Sequence, residues 1–511
     1  PPPPPPPSTD GTARALLHGM KILVTGGTGV IGEGLMPELV NRGHSVRLLS
    51  RHADDDAKQW EGVEPFAGNV ADAPSLDGAA TGCDAVLHIA GIVTESPPEL
   101  TFDAVNVGGT RNMLAEARRA GAKRFVYVSS LGADSGSSDY HKSKLAAEQL
   151  VQRAGLQWTI VRPGGVYGPG DEVISTILKM VRALPAVPVI DHGDQEFQPI
   201  WYEDLAKVLA AVVERNDLAG QTLEAAGPEI TTMNDLLRRF GEITGRKPMR
   251  VPVPMALAQL TTKLASIAAD LPIDESKLAM LRDKNVLRGR NAVEVLGLQS
   301  TPLERGLREL ADALPETLPE EGVGSLEHKR FFAEIRGSRY SAAALMTQFR
   351  ERVNDFMPVE FAAEPGAPEK IEQGITLTGS LPLRGHFQVR VEVAEPTQVV
   401  FATLEGHPLA GIVEFTTADV GGAVRFSIDV YTRASNFLDL VAVRTIGGPA
   451  QAANWRAVVQ RVIDASGGTS DGVHEEKETL DEEEAARVEE RVKRIVQERK
   501  REETHPSESA P

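Results

Sequence analysis

Two side chains in the segment "SSLGADSGSSDYHKSK" (129–144) have the types that proton transfer needs: Tyr140 and Lys144. A phenol has an ordinary pKa of about 10, so it becomes a useful acid or base near neutral pH only beside a positive charge. A four-residue spacing on a helix brings Tyr140 and Lys144 to one face. The spacing therefore predicts a proton-transferring pair. The alternative is that both side chains lie on the solvent-exposed face of a helix.

An earlier glycine-rich segment has the pattern of a phosphate-binding turn. "VTGGTGVIG" (24–32) follows an apolar strand and opens a helix, and its glycines have the spacing G-x-x-G-x-x-G. A pyrophosphate needs backbone N–H groups at a helix N-terminus and no Cβ atom in its way. The pattern predicts a dinucleotide site, with a glycine turn that serves packing alone as the alternative. The predicted contacts in this turn are Thr25, Gly26, Thr28, Gly29, Val30, Ile31 and Gly32.

The end of the second predicted strand, "LLSRH", bears on which dinucleotide binds. An acidic residue there would hold the adenosine ribose hydroxyls and select NAD. Ser50 stands at that place and Arg51 follows it. A hydroxyl and a guanidinium favour a 2′-phosphate, so we expect NADP(H) as the preferred cofactor and NAD(H) as the second choice. The alternative is that Arg51 is a solvated surface cation.

The order of the elements predicts the fold that positions these residues. From Met20 onward, short apolar strands alternate with helical stretches, which indicates an α/β domain with a doubly wound, Rossmann-type parallel sheet. This domain is expected over residues 20–315, with a small, more helical substrate lobe after about residue 172. The proline-rich residues 1–19 are expected to form a disordered, solvated leader. Asp204 is expected to cap a helix.

The chain changes character after the segment "ALPETLPEEGVGS" (313–325). A helical stretch, alternating strands and a last amphipathic run predict a second, α+β domain over residues 325–466. Residues 467–511 form a charged tail, partly helical, in which Val488, Val492 and Val496 make a thin apolar stripe. We favour a solvated helix for this tail, and a helix that docks to a protein partner is the alternative.

Composition excludes several classes of protein. The 511 residues carry a formal net charge of −18, which argues against nucleic-acid binding. The single cysteine, Cys83, allows no intrachain disulfide and favours a reducing compartment, so a cytoplasmic location is expected. No apolar run reaches the length of a membrane span. Because His88 and His141 lack partners at ligand spacing, no metal site is predicted.

Seven short motifs occur in order along the first domain: "TGGTGVIG" (25–32), "GNV" (68–70), "VLHIAG" (86–91), "VNVGGTRNMLAEARRAGAKRFVYVSS" (105–130), "YHKSK" (140–144), "RPGGVYGPGD" (162–171) and "FQPIWYEDLA" (197–206). In order and combination they resemble the extended or atypical short-chain dehydrogenase/reductases. They are most similar to the epimerase/dehydratase-like proteins that include the nucleotide-binding accessory subunit of respiratory complex I. The resemblance implies an NAD(P)-binding enzyme, and no motif fixes a substrate.

The same resemblance implies roles for individual residues. Tyr140 would be the general acid/base, Lys144 would lower the pKa of Tyr140 and hold the nicotinamide ribose, and Ser130 would orient the substrate oxygen. Asn106 matches a family asparagine near the site. Further implied cofactor contacts are Asn69, Val70, Ala90, Gly91, Lys144 and Pro163.

Two departures from the family pattern affect the expected ligands. Asn69 stands where the family usually has an acid near the adenine, and an amide can still hydrogen-bond that base. Ser130 and Tyr140 are only ten residues apart, which is shorter than in most sugar-nucleotide epimerases. The short loop leaves less chain to build a sugar-nucleotide pocket, so a smaller or more apolar substrate is expected.

The second domain weakly resembles an uncharacterised family of helix-grip domains in the broad START and polyketide-cyclase group. The segment "FATLEGHPLAGIVEF" (401–415) carries this likeness. Such folds hold apolar ligands between a curved sheet and a long terminal helix, so an apolar ligand is implied. His407 is expected to be a structural turn residue before Pro408 rather than a catalyst.

Three functions remain open from the sequence. The first is an NADP(H)-dependent oxidoreductase or epimerase that acts on a small or apolar carbonyl or alcohol through Ser130, Tyr140 and Lys144. The second is a non-catalytic nucleotide-binding structural or sensory subunit, whose acidic tail contacts a protein partner. The third is an apolar-ligand carrier that the cofactor domain regulates. The intact Ser130, Tyr140 and Lys144 favour the enzyme.

Overall fold

The computed structural model describes residues 19–98, 100–253, 285–358, 364–366, 368, 370–381, 385–435 and 448–504. The predicted leader, apart from its last residue, lies outside these ranges. The chain divides into two units. The first comprises residues 1–168, 195–231 and 273–303, and the second comprises residues 169–194, 232–272 and 304–511.

Elements are numbered here in chain order. The strands of the first unit are β1 Lys21–Thr25, β2 Ser45–Ser50, β3 Val63–Ala67, β4 Ala85–His88, β5 Arg124–Val128, β6 Gln157–Pro163, β7 Val166–Tyr167, β9 Ile200–Trp201 and β10 Gln221–Ala225. Its α-helices are α1 Val30–Asn41, α2 Ala53–Asp56, α3 Thr110–Ala120, α4 Asp139–Gln152, α6 Tyr202–Glu214 and α8 Ala292–Val295. A π-helix spans Asp103–Gly109, and 3-10 turns span Ala57–Gln59, Ala73–Leu76 and Asn216–Leu218.

A seven-stranded parallel sheet with the strand order β10-β6-β5-β4-β1-β2-β3 forms the centre of the first unit. Its strands are apolar runs because both faces are covered. One face packs on α1 and α6, and the other packs on α3 and α4. The predicted doubly wound, Rossmann-type sheet is confirmed. The strand order reverses between β1 and β4, where parallel α/β sheets bind their ligands beyond the carboxyl ends of the strands.

The second unit contains segments from both sides of residues 313–325, after which the sequence changes character. Its strands are β8 Ala186–Ile190, β11 Met249–Val253, β12 Val323–Arg336, β13 Thr376–Leu381, β14 Gly385–Ala394, β15 Gln398–Thr403, β16 Leu409–Val420, β17 Ala423–Ala434 and β18 His474–Thr479. Its α-helices are α5 Ile174–Ala183, α7 Met233–Thr244, α9 Leu303–Asp312, α10 Ala342–Glu351, α11 Val353–Phe356, α12 Gly448–Ser466 and α13 Glu482–Thr504, with a 3-10 turn at Pro319–Glu321.

A seven-stranded antiparallel sheet with the order β13-β14-β15-β16-β17-β12-β18 dominates this unit. Helices α10, α11 and the long α12 pack on one face over a core that includes Phe349, Phe415 and Phe426. The predicted α+β class is therefore confirmed, whereas the likeness to helix-grip domains stays a prediction. His407 accepts a 2.9 Å hydrogen bond from the backbone N–H of Leu409 at its Nδ1 atom, in the turn between β15 and β16.

Two elements differ from what the sequence favoured. The charged tail is not a solvated helix: β18 pairs with β12, and α13 buries Val492 and Val496 on the second face of the sheet. Asp204 does not cap α6, whose N-cap residue is Trp201. Its carboxylate instead accepts hydrogen bonds from the backbone N–H and the hydroxyl of Thr301, at 2.6 and 3.0 Å.

Candidate functional site

The glycine turn lies between β1 and α1, at the switch point of the parallel sheet. Gly26 has φ +73°, and a Cβ atom there would come within 2.6 Å of the backbone nitrogen of Ala90. A Cβ at Gly32 would come within 1.9 Å of the Gly27 carbonyl oxygen. At Gly29, by contrast, the nearest atom would be the Gly26 carbonyl oxygen at 3.7 Å. Two glycines thus serve close packing, and the third leaves open space before the N-terminus of α1.

This geometry fits a dinucleotide pyrophosphate. The first-turn N–H groups of a helix have no intrahelical partners and attract an anion. Thr28 and Gly29 are exposed, whereas Val30 and Ile31 are half-buried at the start of α1. Thr25 is buried, and its hydroxyl accepts a hydrogen bond from Ala90 N–H at 3.3 Å.

Ser130 and Tyr140 lie together beyond the carboxyl end of β5. Both are buried, at 6% exposure each, and the serine hydroxyl is near enough to the phenol to influence its pKa. Lys144, 5% exposed, follows one turn later on α4. Burial of both Tyr140 and Lys144 excludes the alternative in which they share a solvent-exposed helix face.

The amine of Lys144 is held beside Gly91, after β4. Its Nζ atom donates to the Val128 carbonyl oxygen at 3.0 Å and lies 3.1 Å from the position that a Cβ of Gly91 would take. Asn106, in the π-helix, lies against the same glycine. Its amide donates to the Ile92 carbonyl at 3.0 Å, and its oxygen accepts from the Ile92 N–H at 2.8 Å.

Asn106 also connects to the helix that carries the pair. Its amide donates to the Ser143 hydroxyl at 3.0 Å, and Ser143 donates to the carbonyl of Tyr140 at 2.7 Å. A π-helix inside an otherwise α-helical stretch is frequent at functional sites. Asn106 is only 1% exposed, so its amide positions other groups from inside the protein.

Burial shifts the proton affinities of the pair in opposite directions. Loss of solvent raises the pKa of Tyr140 above its ordinary value, although the neighbouring Ser130 hydroxyl acts in the lowering direction. The same loss lowers the pKa of Lys144 from 10.5 to about 8, with Glu148 opposing it. The direction for Tyr140 is opposite to the lowering that the sequence predicted. Burial outweighs hydrogen bonding here because it disfavours the charged phenolate.

The short loop from Ser130 to Tyr140 is fixed at both ends. Ser138 caps α4 and accepts from the backbone N–H of His141 at 3.2 Å. Arg162 donates to Asp134 at 2.6 Å and to both oxygens of Glu148 at 2.8 and 2.7 Å. The loop therefore forms a compact wall and not an extended flap.

The residues predicted at the adenosine end lie on the surface. Arg51 is exposed directly after β2, and the hydroxyl of Ser50 donates to the carboxylate of Asp56. Asn69 is exposed, and its side-chain oxygen accepts from the backbone N–H of Ala71 at 3.0 Å, which is an Asx turn. Val70 is buried, where a Cβ at Gly109 would meet it at 2.9 Å.

The residues predicted at the nicotinamide end surround the pair. Ala90 is half-buried, Gly91 is exposed and Pro163 is buried at the end of β6. The carbonyl of Pro163 accepts from the backbone N–H of Leu131 at 2.7 Å, so the loop after β6 adjoins the residue that follows Ser130. The buried hydroxyl oxygen of Ser129 has no hydrogen-bond partner within the described chain.

Sequence reasoning missed two contributors. The ring of Phe102 lies 6.0 Å from that of Tyr140, edge to face, and forms an apolar wall beside the phenol. His88, considered only as a metal ligand, is fully buried and hydrogen-bonded to the hydroxyls of Thr25 and Thr110. Its place at the end of a predicted strand was the available signal, but the partners come from distant segments.

Within the described ranges, no cluster of three or more His, Cys, Asp or Glu side chains could hold a metal ion. None of the helices described in the chain combines the length and the apolar character that crossing a membrane requires.

The fold and the site together define a Rossmann-like nucleotide-binding protein with a glycine turn at the switch point of its sheet. A family model described as "NAD dependent epimerase/dehydratase family" matches residues 22–226. The chain is also 32% identical to the ceramide reductase of Caulobacter vibrioides, over 46% of this chain and 73% of that protein. The chain belongs to the NAD-dependent epimerase/dehydratase family.

Two further relatives show the breadth of the similarity. Sterol demethylase protein B of Methylococcus capsulatus is 32% identical over 47% of this chain and 79% of that protein. The NADH dehydrogenase [ubiquinone] 1 alpha subcomplex subunit 9 of Arabidopsis thaliana is 26% identical over 48% of this chain and 63% of that protein. The chain spans only 28% of the length of some longer relatives. The predicted similarity to the complex I subunit is thus confirmed for the first domain.

Proposed function

We propose that this protein is an NAD(P)-dependent oxidoreductase or epimerase that acts on a small or apolar carbonyl or alcohol. The observation that carries the proposal is the buried arrangement of Ser130, Tyr140 and Lys144 beside the glycine turn. A purely structural nucleotide-binding subunit has no need of a phenol and an amine buried together, since burial of ionisable groups is costly.

The cofactor supplies or accepts a hydride when it is bound, and the chain's own side chains move the proton. Tyr140 donates its phenolic proton to a carbonyl oxygen or takes one from an alcohol. Ser130, which lies beside that phenol, orients the same substrate oxygen. Lys144, beside Gly91, holds the nicotinamide ribose and stabilises the phenolate with its charge.

We propose NADP(H) as the preferred cofactor, with NAD(H) as the second choice. The exposed guanidinium of Arg51, directly after β2, suits a 2′-phosphate, because Arg binds phosphate oxygens through two donors. The carboxylate of Asp56 opposes this preference, because it accepts from Ser50 and places a negative charge nearby. The balance of these two charges decides the preference.

The proposed substrate is small or apolar because of the wall around Tyr140. Phe102 lines that wall, and the compact loop before Tyr140 leaves little chain for polar sugar contacts. Two relatives, named for ceramide and sterol chemistry, support an apolar class of substrate.

An apolar ligand in the second unit remains a proposal as well. The long helix α12 lies over an antiparallel sheet, and the rings of Phe349 and Phe415 pack there 4.8 Å apart. Because these rings already occupy the core, a ligand needs space beside them. Titration with anilinonaphthalene sulfonate, displaced by a sterol or a fatty acid, tests this; absence of displaceable binding argues against it. A partner for α13 likewise remains a proposal.

The first experiment is a fluorescence titration with NADPH and NADH, combined with turnover on aldehydes, ketones and quinones. We compare the wild type with Tyr140→Phe, and we use Tyr340→Phe in the second unit as the matched control. Turnover that is lost only in Tyr140→Phe, with cofactor binding retained, supports the enzyme. Binding without turnover on any substrate, unaltered by the substitution, favours the structural or sensory subunit.

The same titration tests the cofactor preference. Arg51→Ala is expected to weaken NADPH binding about tenfold or more, since hydrogen bonds to charged groups contribute about 1.5–3 kcal/mol, and to leave NADH binding unchanged. Arg118→Ala, an exposed arginine on α3, is the control. Equal losses for both cofactors would contradict the assignment.

A further inference from the structure

His88 is a buried titratable side chain that the proposed mechanism does not use. It ends β4, has no exposed surface and lies between the neighbouring strands, with Thr25 and Tyr127 as its register partners. Its ring contacts Phe125 and Tyr127, with ring centroids 6.0 and 5.8 Å away. A fully buried imidazole needs a hydrogen-bond partner for each nitrogen.

Four hydrogen bonds form a continuous series with the imidazole of His88 at its centre. Ala90 N–H donates to the Thr25 hydroxyl at 3.3 Å, and that hydroxyl is 2.7 Å from His88 Nδ1. His88 Nε2 is 3.1 Å from the Thr110 hydroxyl, which in turn donates to the Asn106 carbonyl at 2.7 Å.

The donor and acceptor groups at the two ends determine which atom carries the proton in each of these hydrogen bonds. A carbonyl oxygen only accepts, so the Thr110 hydroxyl donates its single proton to the Asn106 carbonyl. The Thr110 oxygen must therefore accept from His88 Nε2–H. Burial, together with the charge of Lys144, lowers the pKa of His88 to about 3, so the imidazole is neutral and Nδ1 carries no proton. Nδ1 then accepts from the Thr25 hydroxyl, whose oxygen accepts from Ala90.

The two ends of this series of hydrogen bonds, Ala90 and Asn106, belong to the two halves of the proposed active site. At one end, Ala90 N lies where a Cβ of Gly26 would come within 2.6 Å, so it determines how closely the glycine turn approaches. At the other end, Asn106 holds Ile92 and Ser143, and Ser143 contacts the backbone of Tyr140.

We propose that His88 is a positioning residue. Its neutral Nε2–H tautomer fixes the position of the glycine turn relative to the π-helix that carries Asn106. This inference rests on the proposed function. His88 is not a proton donor to the substrate, because both of its nitrogens are engaged inside the protein. Its effect on the reaction passes through Asn106 to the Tyr140–Lys144 pair, and through Thr25 to the cofactor.

The kinetic test uses His88→Phe, which keeps a ring and removes both hydrogen bonds. Misplacement of catalytic groups by about 1 Å costs on the order of a hundredfold in rate, so we expect kcat to fall about tenfold to a hundredfold and the pH profile of kcat to shift. Thr110→Val breaks only the Asn106 end and should reproduce the loss in kcat. Thr25→Val breaks only the glycine-turn end and should weaken cofactor binding more than it lowers kcat.

A conservative rescue separates positioning from packing. His88→Gln retains an amide N–H near the Nε2 position and should recover part of kcat and the wild-type pH profile. If His88→Phe only lowers the melting temperature, while kcat, KM and the pH profile of the folded enzyme stay unchanged, the role is structural and the proposal is wrong.

A second measurement needs no turnover. The ¹⁵N spectrum of histidine-labelled wild-type protein should show an unprotonated Nδ1 and a protonated Nε2 at His88, without titration between pH 5 and 8. His88→Asn assigns the signal. The opposite tautomer, or titration in that range, overturns the proposal. If the wild type turns over no substrate, the proposed function fails, and the tautomer together with cofactor affinity still decides the role of His88.

Discussion

At the scale of single residues, burial shifts the pKa values of Tyr140 and Lys144 in opposite directions. The pKa of the phenol lies above its ordinary value, while that of the amine falls from 10.5 to about 8. The two groups lie one turn apart on α4. Near neutral pH both groups are therefore mostly protonated, and Tyr140 is ready to donate to a carbonyl oxygen.

We expect the rates of both carbonyl reduction and alcohol oxidation to fall as the pH increases through about 8, where Lys144 loses its proton. The sign follows because the phenolate of Tyr140 forms in both directions of the reaction, and deprotonated Lys144 no longer stabilises it with a positive charge. Lys144→Arg keeps the charge to much higher pH, so its profile should move upward by a unit or more. Lys142→Met, exposed on the same helix, is the control, and an unshifted profile in Lys144→Arg would argue against the assignment.

At the scale of elements, the N-terminus of α4 determines where the pair lies. Ser138 accepts from the backbone N–H of His141 at 3.2 Å, and its hydroxyl is 2.9 Å from the Nδ1 atom of His141. Tyr140 is the second residue of the helix, so fraying of the first turn would move it directly. The cap thus connects local helix stability to catalysis.

Ser138→Ala should cost about 1 kcal/mol of stability, as loss of an N-cap usually does. We expect a larger relative loss in kcat than this small destabilisation implies, because Tyr140 lies in the first turn. Ser138→Asp restores a capping oxygen and should recover both quantities. Thermal unfolding and steady-state kinetics on the three proteins decide this. Equal activity in all of them would show that the first turn is held by other contacts.

Helix α13 is an element whose position depends on buried charge. Arg499, 3% exposed, donates to Glu392 and to Glu316, each at 2.8 Å. Burial, with the nearby charge of Glu316, raises the pKa of Glu392 to about 7. Removing this guanidinium leaves Glu392 buried without its ion-pair partner, although Glu316 keeps Arg390 and Lys500. Such a loss is far more costly than losing a surface pair.

Arg499→Ala should destabilise the second unit by about 3–5 kcal/mol and speed hydrogen exchange in α13 and β14. The control is Arg487→Ala, whose ion pair with Glu483 lies on the exposed side of the same helix. That substitution should change stability by less than about 0.5 kcal/mol. Similar exchange in both variants would mean that Val492 and Val496, and not the charges, hold the helix.

At the scale of the whole molecule, only part of the region expected to form a substrate lobe, including residues 169–194 and 232–272, belongs to the unit that holds the antiparallel sheet. Arg182 on α5 is 4% exposed and donates to both carboxylate oxygens of Glu364 at 2.8 Å. It also donates to the side chain of Gln388, on β14, at 2.7 Å. The sheet therefore supports α5, and a substitution that destabilises the sheet should also destabilise this helix.

Arg182→Met is expected to destabilise the second unit by about 3–5 kcal/mol, because Glu364 stays buried after losing its guanidinium. The double variant Arg182→Met with Glu364→Met should recover part of that loss, since a buried ion pair is replaceable by packed apolar side chains. Chemical denaturation of the single and double variants measures the coupling. Strictly additive losses would show that the pair contributes no specific interaction.

The sequence predicted the parallel sheet and the positions of its functional groups through local signals. The turn at Gly26, Gly29 and Gly32 follows β1, and Ser130 follows β5, because strand ends and glycine turns are encoded within a few residues. The spacing of Tyr140 and Lys144 placed them on one face of α4. Their roles as acid and base remain predictions that the kinetic experiments test.

What the sequence could not determine depends on contacts between distant segments. Burial, which raises the pKa of Tyr140 and lowers that of Lys144, is a property of the folded surroundings. The hydrogen bonds of His88 join Thr25 to Thr110 across three parts of the chain. The thin valine stripe of the tail did not reveal that α13 packs on a sheet of the same chain. By itself the sequence determined the local elements and the chemical types, because these depend on neighbours along the chain. The tertiary structure alone decided which groups lose water and which partners they meet, because both depend on proximity in space.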